Sequence, residues 1–208
     1  MAAAFPVIPA LVGVGAFGEH VTRILARRLP GAAVFTELVE AFTSGPGPVL
    51  LASWRPAPAL CDHADLLAHS LDVAWLPVVH EDPVIQIGPW VEPGAGPCYR
   101  CYHDRRCQHD HDGRDTEALH AAYDRDESLG PGGFLPQHAR TAAGLAAAVL
   151  DRREGAVGRV TTVDLARLRL LTSHVVSVHG CDRCAPGQHP YRDMADLLRL
   201  TGTEPADV

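Results

Sequence analysis

The sequence predicts an α/β protein with a mainly parallel sheet, flanking helices and a zinc site formed by four cysteines. Short apolar runs typical of strands alternate with segments of helical periodicity, a glycine-rich turn follows the first apolar run, and two Cys-x-x-Cys pairs lie later in the chain. Strands that alternate with helices form βαβ units, in which the strands are parallel. We expect a single domain over residues 1–208, because no internal repeat or linker interrupts the pattern.

The first half of the chain supplies most of the predicted sheet. Strands are expected where apolar runs end at glycine, proline or polar turns, namely at residues 9–15, 32–36, 49–53, 73–79 and 84–87. The first helix follows the glycine turn and ends at Pro30-Gly31. Its apolar face is formed by Phe17, Val21, Ile24, Leu25 and Leu29. A second helix is expected over residues 59–71, with its inward face formed by Leu60, Leu67 and Leu71.

The second half of the chain has a less regular pattern. Residues 93–115 are rich in glycine, histidine, cysteine and charge, so we expect them to be irregular. A short helix is expected over residues 116–126, and a longer one over residues 137–150, whose apolar side chains on every side indicate burial against the sheet. Two β-rich runs lie within residues 160–178. A short amphipathic helix follows them and carries Met194, Leu197 and Leu198.

The composition argues against two classes of protein. With 47% hydrophobic and 21% charged residues, the chain has the makeup of a globular protein that buries a core. A net charge of -7 argues against a nucleic-acid-binding face, which needs concentrated basic residues. No apolar run is long enough to span a membrane, and the first residues lack the basic region of a signal peptide, so we expect a cytoplasmic location.

Four of the six cysteines form two pairs with the same spacing, Cys98-Tyr-Arg-Cys101 and Cys181-Asp-Arg-Cys184. The cytoplasm keeps thiols reduced, so these pairs predict metal binding rather than disulfides. Two residues between thiolates let one tight turn present both sulfurs to one ion, and two such turns complete a tetrahedron. A closed site of this kind is structural rather than catalytic. By analogy with zinc-finger peptides it would stabilise the fold by about 10 kcal/mol.

The two cysteine pairs leave three alternatives to a single structural zinc. The four residues could be unrelated buried thiols, although two pairs of identical spacing among six cysteines argue against that. A redox Cys-x-x-Cys normally occurs as a single pair at a helix start, so two pairs fit redox chemistry poorly. A different or second metal would use the side chains crowded near the first pair, namely His103, Cys107, His109 and His111.

A glycine-rich turn, Gly13-Val-Gly-Ala-Phe-Gly18, joins the first predicted strand to the first helix. Gly13, Gly15 and Gly18 match the G-x-G-x-x-G pattern, which allows a tight turn and brings a phosphate to a helix N-terminus. Glu37 lies near the end of the second predicted strand, where an acidic side chain can bind a ribose hydroxyl. These four residues are the candidate cofactor site of a Rossmann-like fold. The alternative is that the glycines serve close strand–helix packing and bind no ligand.

The order of these features resembles the ThiF/MoeB-type family, relatives of the ubiquitin-activating enzymes. After the glycine turn come Ile87-Gly-Pro-Trp-Val-Glu-Pro-Gly-Ala-Gly-Pro-Cys-Tyr-Arg-Cys101, the apolar helix that follows Gly133, and finally His179-Gly-Cys-Asp-Arg-Cys184. The chain is most similar to the ThiF-like cyclodehydratase partner proteins, which bind leader peptides in the biosynthesis of thiazole/oxazole-modified, bacteriocin-like peptides. The segment that ends at Cys101 is the most specific part, and the resemblance covers roughly residues 9–190.

The resemblance implies a structural zinc bound by Cys98, Cys101, Cys181 and Cys184. It also implies a scaffold role. Such proteins bind the leader of a ribosomally made precursor peptide and dock to a YcaO-type cyclodehydratase, which closes the rings with ATP. Their leader-binding module usually precedes the first strand, where this chain begins, so we expect a separate protein to recognise the leader. Family members are commonly dimers, and the resemblance therefore allows a homodimer.

The chain departs from the family's pattern for adenylation. That chemistry needs a segment with aspartates and an arginine after the third strand and an N-L-x-R-Q-type segment after the second. Here Trp54-Arg-Pro-Ala-Pro58 and Val39-Glu-Ala-Phe-Thr-Ser44 stand in those places, leaving only Glu37 and Arg55 as candidates. A magnesium triphosphate needs several carboxylate and basic groups. We therefore expect no catalytic residues and no adenylation activity, with ATP left as a doubtful cofactor.

Three functions compete on this basis. The first is a zinc-stabilised, non-catalytic partner in azole-peptide maturation. The second is an ATP-dependent adenylating enzyme that acts on the C-terminus of a peptide or sulfur carrier. The third is a nicotinamide-dependent oxidoreductase, suggested by the glycine turn and Glu37. The third leaves the cysteine pairs unexplained, and the missing aspartates favour the first over the second.

Overall fold

The computed structural model describes residues 8–110, 112–153 and 155–184. Within these ranges the chain forms a seven-stranded sheet with helices packed on both faces. The predicted helix around Met194, Leu197 and Leu198 lies outside the described residues, as does the candidate ligand His111. The predicted α/β class, with a sheet between flanking helices, is confirmed.

The elements follow the predicted alternation closely. The strands are β1 (Ala10–Val14), β2 (Ala33–Phe35), β3 (Val49–Ser53), β4 (Trp75–Glu81), β5 (Val84–Ile87), β6 (Arg159–Asp164) and β7 (Arg169–His174). The helices are α1 (Gly15–Arg28), α2 (Leu38–Thr43), α3 (Pro58–Leu71), α4 (Tyr99–Gln108), α5 (Gly113–Arg125) and α6 (Pro136–Asp151).

The sheet has a parallel half and an antiparallel half. Its strand order is β2-β1-β3-β4-β5-β6-β7, with parallel pairs from β2 through β4 and antiparallel pairs from β4 through β7. Helices connect the parallel strands, whereas short turns connect β4 to β5 and β6 to β7. Because β1 lies between β2 and β3, the strands that follow it in the chain are placed on opposite sides of it. This reversal of strand order is a topological switch point, where α/β proteins bind ligands.

Alternate residues of the strands build two cores. Leu11, Leu50 and Leu76 face α1 and α6, while Val12, Leu51 and Trp75 face α2 and α3. On α1 the predicted face is confirmed, with Phe17, Val21 and Leu25 fully buried. On α6 the buried positions are mostly alanines, which let this helix lie close to α1 and the sheet: Ala139, Ala142, Ala143, Ala146, Ala147 and Leu150.

Helix α3 is rotated relative to the prediction. Leu60 and Leu67 are only partly buried and Leu71 is 43% exposed, whereas Cys61, Ala64, Asp65 and Ala68 face the core. The expected inward face is therefore confirmed for Leu60 and Leu67, which pack at the edge of the core, and wrong for Leu71. The centre of the buried face is shifted because Asp65 is hydrogen-bonded inside the protein, so that a carboxylate occupies the middle of that face.

Residues 99–108 form helix α4, although residues 93–115 were expected to be irregular. This helix has too few apolar residues to show a helical period in the sequence. Tertiary contacts hold it instead: the Tyr99 N–H donates to Asp65 Oδ1 at 3.0 Å, and the Tyr102 hydroxyl donates to Gln86 Oε1 at 2.5 Å. None of the helices in the described ranges combines the length and apolar character that crossing a bilayer requires.

Candidate functional site

The four cysteines of the two pairs meet in the structure. Cys98 Sγ lies 3.7 Å from Cys101 Sγ and 3.6 Å from Cys181 Sγ, and Cys101 Sγ lies 3.4 Å from Cys184 Sγ. All four sulfurs lie within 4.8 Å of one another. A tetrahedral ion with zinc–sulfur distances of about 2.3 Å separates its sulfurs by about 3.8 Å. The sulfur cluster can therefore hold a metal ion, and its geometry is compatible with zinc.

The two cysteine pairs lie in different types of secondary structure. Cys98 is the N-cap residue of α4 and Cys101 lies in its first turn, while the second pair lies in the turn after β7. The partial positive charge of a helix N-terminus favours thiolates there. The sulfur cluster is closed to solvent on one side by Val175 and Val178. Four ligands with no open position suit a structural rather than a catalytic ion.

Three of the cysteines in the cluster differ in the pKa values of their thiols. Burial raises the pKa of the Cys98 thiol, and burial raises that of Cys101 to about 11. Burial acts in the same direction at Cys181, but main-chain N–H groups of Cys184 and Arg183 outweigh it and bring its pKa to about 7. Without a cation, Cys98 and Cys101 would stay protonated at neutral pH. A divalent ion removes this penalty, because a coordinating thiol is deprotonated.

Arg183, between the second pair of cysteines, joins the sulfur cluster to α3. Its guanidinium lies 2.7 Å from Asp62 Oδ1 and 3.0 Å from Asp65 Oδ2. Asp65 is fully buried and also accepts hydrogen bonds from the Trp75 indole and the Tyr99 N–H. Sequence analysis missed Asp65, although a carboxylate among Cys61, Ala64 and Ala68 on an apolar helix face is a visible signal.

Of the side chains considered for a second metal, His103, Cys107 and His109 lie in the described residues, and none of these three joins the cluster. On α4, Cys107 Sγ lies 3.7 Å from His103 Nε2, one helical turn away, and Cys107 is exposed. In the part of the chain that the structure describes, only the four-cysteine group brings three or more metal-ligating side chains together.

A cavity of about 1090 Å³ opens at the carboxyl ends of β1 and β3, at the switch point of the sheet. Gly15 and Glu37, two of the four candidate cofactor residues, line it. The other walls come from the segment after β3 and from the end of α5 with the loop after it, including Trp54, Arg55 and Tyr123. The cavity has the position and size of a small-molecule site.

The glycines themselves are required by close packing. A Cβ on Gly18 would lie 2.2 Å from the carbonyl oxygen of Ala52, and a Cβ on Gly13 would lie 2.8 Å from the main chain of Gly18 and Glu19. Gly15 has a positive φ of 67°, and its Cβ would lie 2.2 Å from the Trp54 ring. The packing alternative therefore accounts for all three glycines, and the Trp54 indole covers the first residue of α1.

Arg55 is buried beside this indole. Its guanidinium donates to the carbonyl oxygens of Pro56 and Tyr123 and lies 4.8 Å from the centre of the Tyr123 ring. These contacts fix the end of α5 over the cavity. Arg55 Nε, however, is buried with no hydrogen-bond partner in the described structure.

His80 also lines the cavity, and it contacts a second histidine with which the sequence analysis did not connect it. The His80 ring, 3% exposed, stacks on His138 with a centroid distance of 6.0 Å, and His80 Nε2 has no hydrogen-bond partner in the described structure. Burial lowers the pKa of His80, and His138 lowers it further. The only feature of the sequence that points to His80 is that this polar residue lies near the end of the apolar run that forms β4.

The fold and the sulfur cluster define an α/β protein with a four-cysteine group able to bind metal. No protein-family model matches the sequence, and no curated protein matches it. Among solved structures, the heterocyclase TruD shares the fold with a TM-score of 0.61 and 14% identity over 98% of this chain. A heterocyclase in complex with substrate and cofactor gives a TM-score of 0.61 and 18% identity over 97% of the chain.

Two further E. coli structures share the fold as well. The E. coli microcin synthetase McbBCD complex gives a TM-score of 0.62 and 10% identity over 87% of this chain and 70% of the matched chain. E. coli MccB with AMPCPP and MccA gives 0.58 and 11% identity over 86% of this chain and 66% of that one. The present chain spans only 30% and 27% of the two heterocyclase chains. At these identities the likeness establishes the fold.

Proposed function

We propose that this chain is a zinc-stabilised scaffold protein in the biosynthesis of ribosomally made, azole-modified peptides. In this role it assists a YcaO-type cyclodehydratase that acts on the precursor peptide, and it does not adenylate a substrate itself. Two independent observations support a role in azole-peptide biosynthesis. They are the ThiF-like motifs of the sequence and the fold shared with heterocyclases and a microcin synthetase.

The main support for a role without adenylation activity is the position of Trp54. Its indole packs on Gly15 at the first turn of α1, where the main chain would otherwise meet a phosphate. The neighbouring Arg55 is committed to main-chain carbonyl oxygens. A magnesium triphosphate would therefore have to displace the indole, and the residues present do not fit it.

The zinc in this proposal is structural. Cys98, Cys101, Cys181 and Cys184 would hold it as thiolates, which more than offset its charge and leave no position for water or substrate. The ion would join the start of α4 to the turn after β7 and thereby fix Arg183 against α3.

The decisive experiment is reconstitution with a YcaO-type cyclodehydratase, sought among the neighbouring genes, and a precursor peptide. We expect a complex at micromolar concentration, ring formation detected by mass spectrometry as loss of water, and ATP consumption only when the YcaO-type protein is present. The matched control replaces this chain with buffer. If the two proteins fail to associate, or if rings form equally well without this chain, the scaffold role is wrong.

The alternative is an adenylating enzyme acting on a peptide or sulfur-carrier C-terminus, and the cavity beside Gly15 and Glu37 is the observation in its favour. ATP–pyrophosphate exchange with an acceptor peptide tests it. The scaffold proposal expects background exchange from the wild type. Exchange above background that is lost in Glu37→Ala and retained in Cys107→Ser, an exposed cysteine outside the cavity, would establish the alternative instead.

A further inference from the structure

Strand β7 forms one edge of the sheet. It pairs with β6 on one side, and in the described ranges no strand pairs with its other side. All six of its residues are exposed. A sheet edge presents unpaired N–H and C=O groups to any extended chain that approaches it, and proteins usually protect such edges.

The register identifies the free main-chain groups. The Val175 N–H donates to the Gly158 carbonyl oxygen at 2.8 Å, which makes these two residues a hydrogen-bonded pair. Hydrogen-bonded and non-bonded pairs alternate along an antiparallel ladder. With the observed register, the residues whose main chain bonds to β6 are Arg169, Leu171 and Ser173. The residues whose N–H and C=O point outward are Leu170, Thr172 and His174.

The edge is apolar along much of its length. Leu170 and Leu171 are 55% and 60% exposed, and Leu168 and Val176, just before and after the strand, are 88% and 69% exposed. Leu170 lies opposite Val163, which packs against the core formed with α6, while Leu171 lies on the face towards α4. An added strand would therefore find apolar contacts on both faces of the sheet.

A basic groove lies beside the edge, between β7 and α4. It has a volume of about 540 Å³, contains no carboxylate among its lining residues, and includes Arg105, Arg106, His109 and His174. The Arg105 guanidinium donates to the carbonyl oxygens of Val176 and Ser177, whereas Arg106 is paired with Glu81. Because Glu81 offsets the charge of Arg106, the positive charge of the groove comes mainly from Arg105, in a chain whose net charge is -7, and it favours an acidic partner.

We propose that the outer edge of β7 is a docking site for an extended peptide segment in which acidic and apolar residues alternate. The segment adds a strand to the sheet through the main chain of Leu170, Thr172 and His174. Its acidic side chains face the groove beside α4, and its apolar side chains face Leu170. Main-chain pairing supplies affinity, and alternate side chains supply specificity, as in other strand-addition complexes.

A second copy of this chain is a poorer occupant. If β7 paired with itself through its outward main-chain groups in an antiparallel register centred on Thr172, Leu170 of each copy would lie opposite His174 of the other. The strand contains no acidic residue, so a second copy would bring no carboxylate to the basic groove. The docking site exists whether or not the chain acts in azole-peptide biosynthesis, because it depends only on the edge and the groove.

The probe is a fluorescein-labelled peptide of alternating glutamate and valine, at least as long as β7, titrated with the full zinc-loaded chain in a fluorescence anisotropy assay. Two counterparts complete the set: a lysine–valine peptide, and a glutamate–valine peptide whose central valines are proline and lack N–H groups. We expect saturable binding of the first peptide and at least about tenfold weaker binding of both counterparts. Affinity should fall as salt is added.

The protein variants are Thr172→Pro and Thr172→Val. Proline removes an outward N–H that β6 does not use, and valine keeps it. We expect Thr172→Pro to weaken binding about tenfold and Thr172→Val to change it by less than about twofold. If circular dichroism shows that Thr172→Pro does not fold, the proline-containing peptide tests main-chain pairing from the ligand's side.

Several results would overturn the docking site. They are the absence of saturable binding, equal binding of the lysine–valine peptide, equal binding of the proline-containing peptide, or equal affinities for the two folded Thr172 variants. A wild-type dimer that Thr172→Pro dissociates in sedimentation experiments would assign the edge to a second copy instead. The probe peptide contains no residue that could form a ring, and the assay contains no YcaO-type protein. The result therefore tests the docking site independently of the proposed role in azole-peptide biosynthesis.

Discussion

The guanidinium of Arg183 lies 3.0 Å from Oδ2 of Asp65, a carboxylate that is fully buried on α3. The two residues are 118 positions apart in the chain. Because Arg183 sits between two cysteines of the sulfur cluster, the same turn that presents sulfur to a metal also neutralises a charge inside the domain. The metal-binding group and the packing of α3 are therefore one structural unit.

Removing the Arg183 charge should destabilise the fold strongly. Arg183→Gln leaves Asp65 buried without its cation, and we expect the free energy of unfolding to fall by about 3 kcal/mol. Urea denaturation of the zinc-loaded protein measures this change. The matched control is Arg167→Gln, which breaks the exposed pair with Asp164 and should leave stability nearly unchanged. Equal effects of the two substitutions would show that Asp65 does not depend on Arg183.

The sulfur cluster should bind one zinc per chain. Cys181→Ser removes one ligand, so we expect the metal content to fall and the melting temperature to drop sharply. Elemental analysis and thermal denaturation measure these two effects. Cys107→Ser, at an exposed cysteine of α4, should change neither. A Cys181→Ser protein that is metal-free and fully folded would contradict a structural role for the ion.

Gly18 should not tolerate a side chain. The Cβ of Gly18→Ala would lie 2.2 Å from the Ala52 carbonyl oxygen, so α1 must move away from β3 and stability should fall by about 1–3 kcal/mol or more. Gly144→Ala on α6 is the control, since nothing lies within 4 Å of its Cβ position. That change should raise stability by about 0.5–1 kcal/mol. Chemical denaturation measures the stability of both variants. A loss of stability in Gly18→Ala alone indicates close packing at Gly18, whereas a loss in both would indicate that the protein tolerates no glycine substitution.

The buried His80 should make stability depend on pH. Burial and His138 lower the pKa of His80 in the folded state, so the unfolded chain binds its proton more readily. The His80 contribution is therefore present above the unfolded pKa of about 6.5 and is lost as pH falls below it. We expect the melting temperature of the wild type to fall more between pH 7 and pH 5 than that of His80→Gln. His174→Gln, at an exposed histidine of β7, should follow the wild type.

The sequence was sufficient to predict the strand–helix alternation and the sulfur cluster. Both depend on local spacing: apolar runs of strand length, a helical stripe such as Phe17, Val21 and Leu25, and two identical cysteine pairs. Each of these patterns lies within a short segment, so it can be recognised without knowing which segments meet in the folded protein. For the same reason the glycine turn was placed correctly between β1 and α1, although its ligand stays a prediction.

Features that depend on distant contacts were not predictable. Helix α4 has no apolar period and is held by contacts of Tyr99 and Tyr102 with Asp65 and Gln86. The central place of Asp65 on the buried face of α3 could not be predicted, because a buried carboxylate is costly unless it is paired and its partner Arg183 lies 118 positions away in the sequence. Likewise, nothing near the glycine turn indicates that Trp54 packs on Gly15.

The distance along the chain between the two cysteine pairs has a consequence for synthesis on the ribosome. Cys98 and Cys181 are separated by 83 positions, so the first two thiols emerge long before their partners. Until Arg183 emerges, Asp65 has no guanidinium to neutralise it. A nascent chain that stops before Cys181 therefore leaves the first two thiols without their partners and Asp65 without its cation.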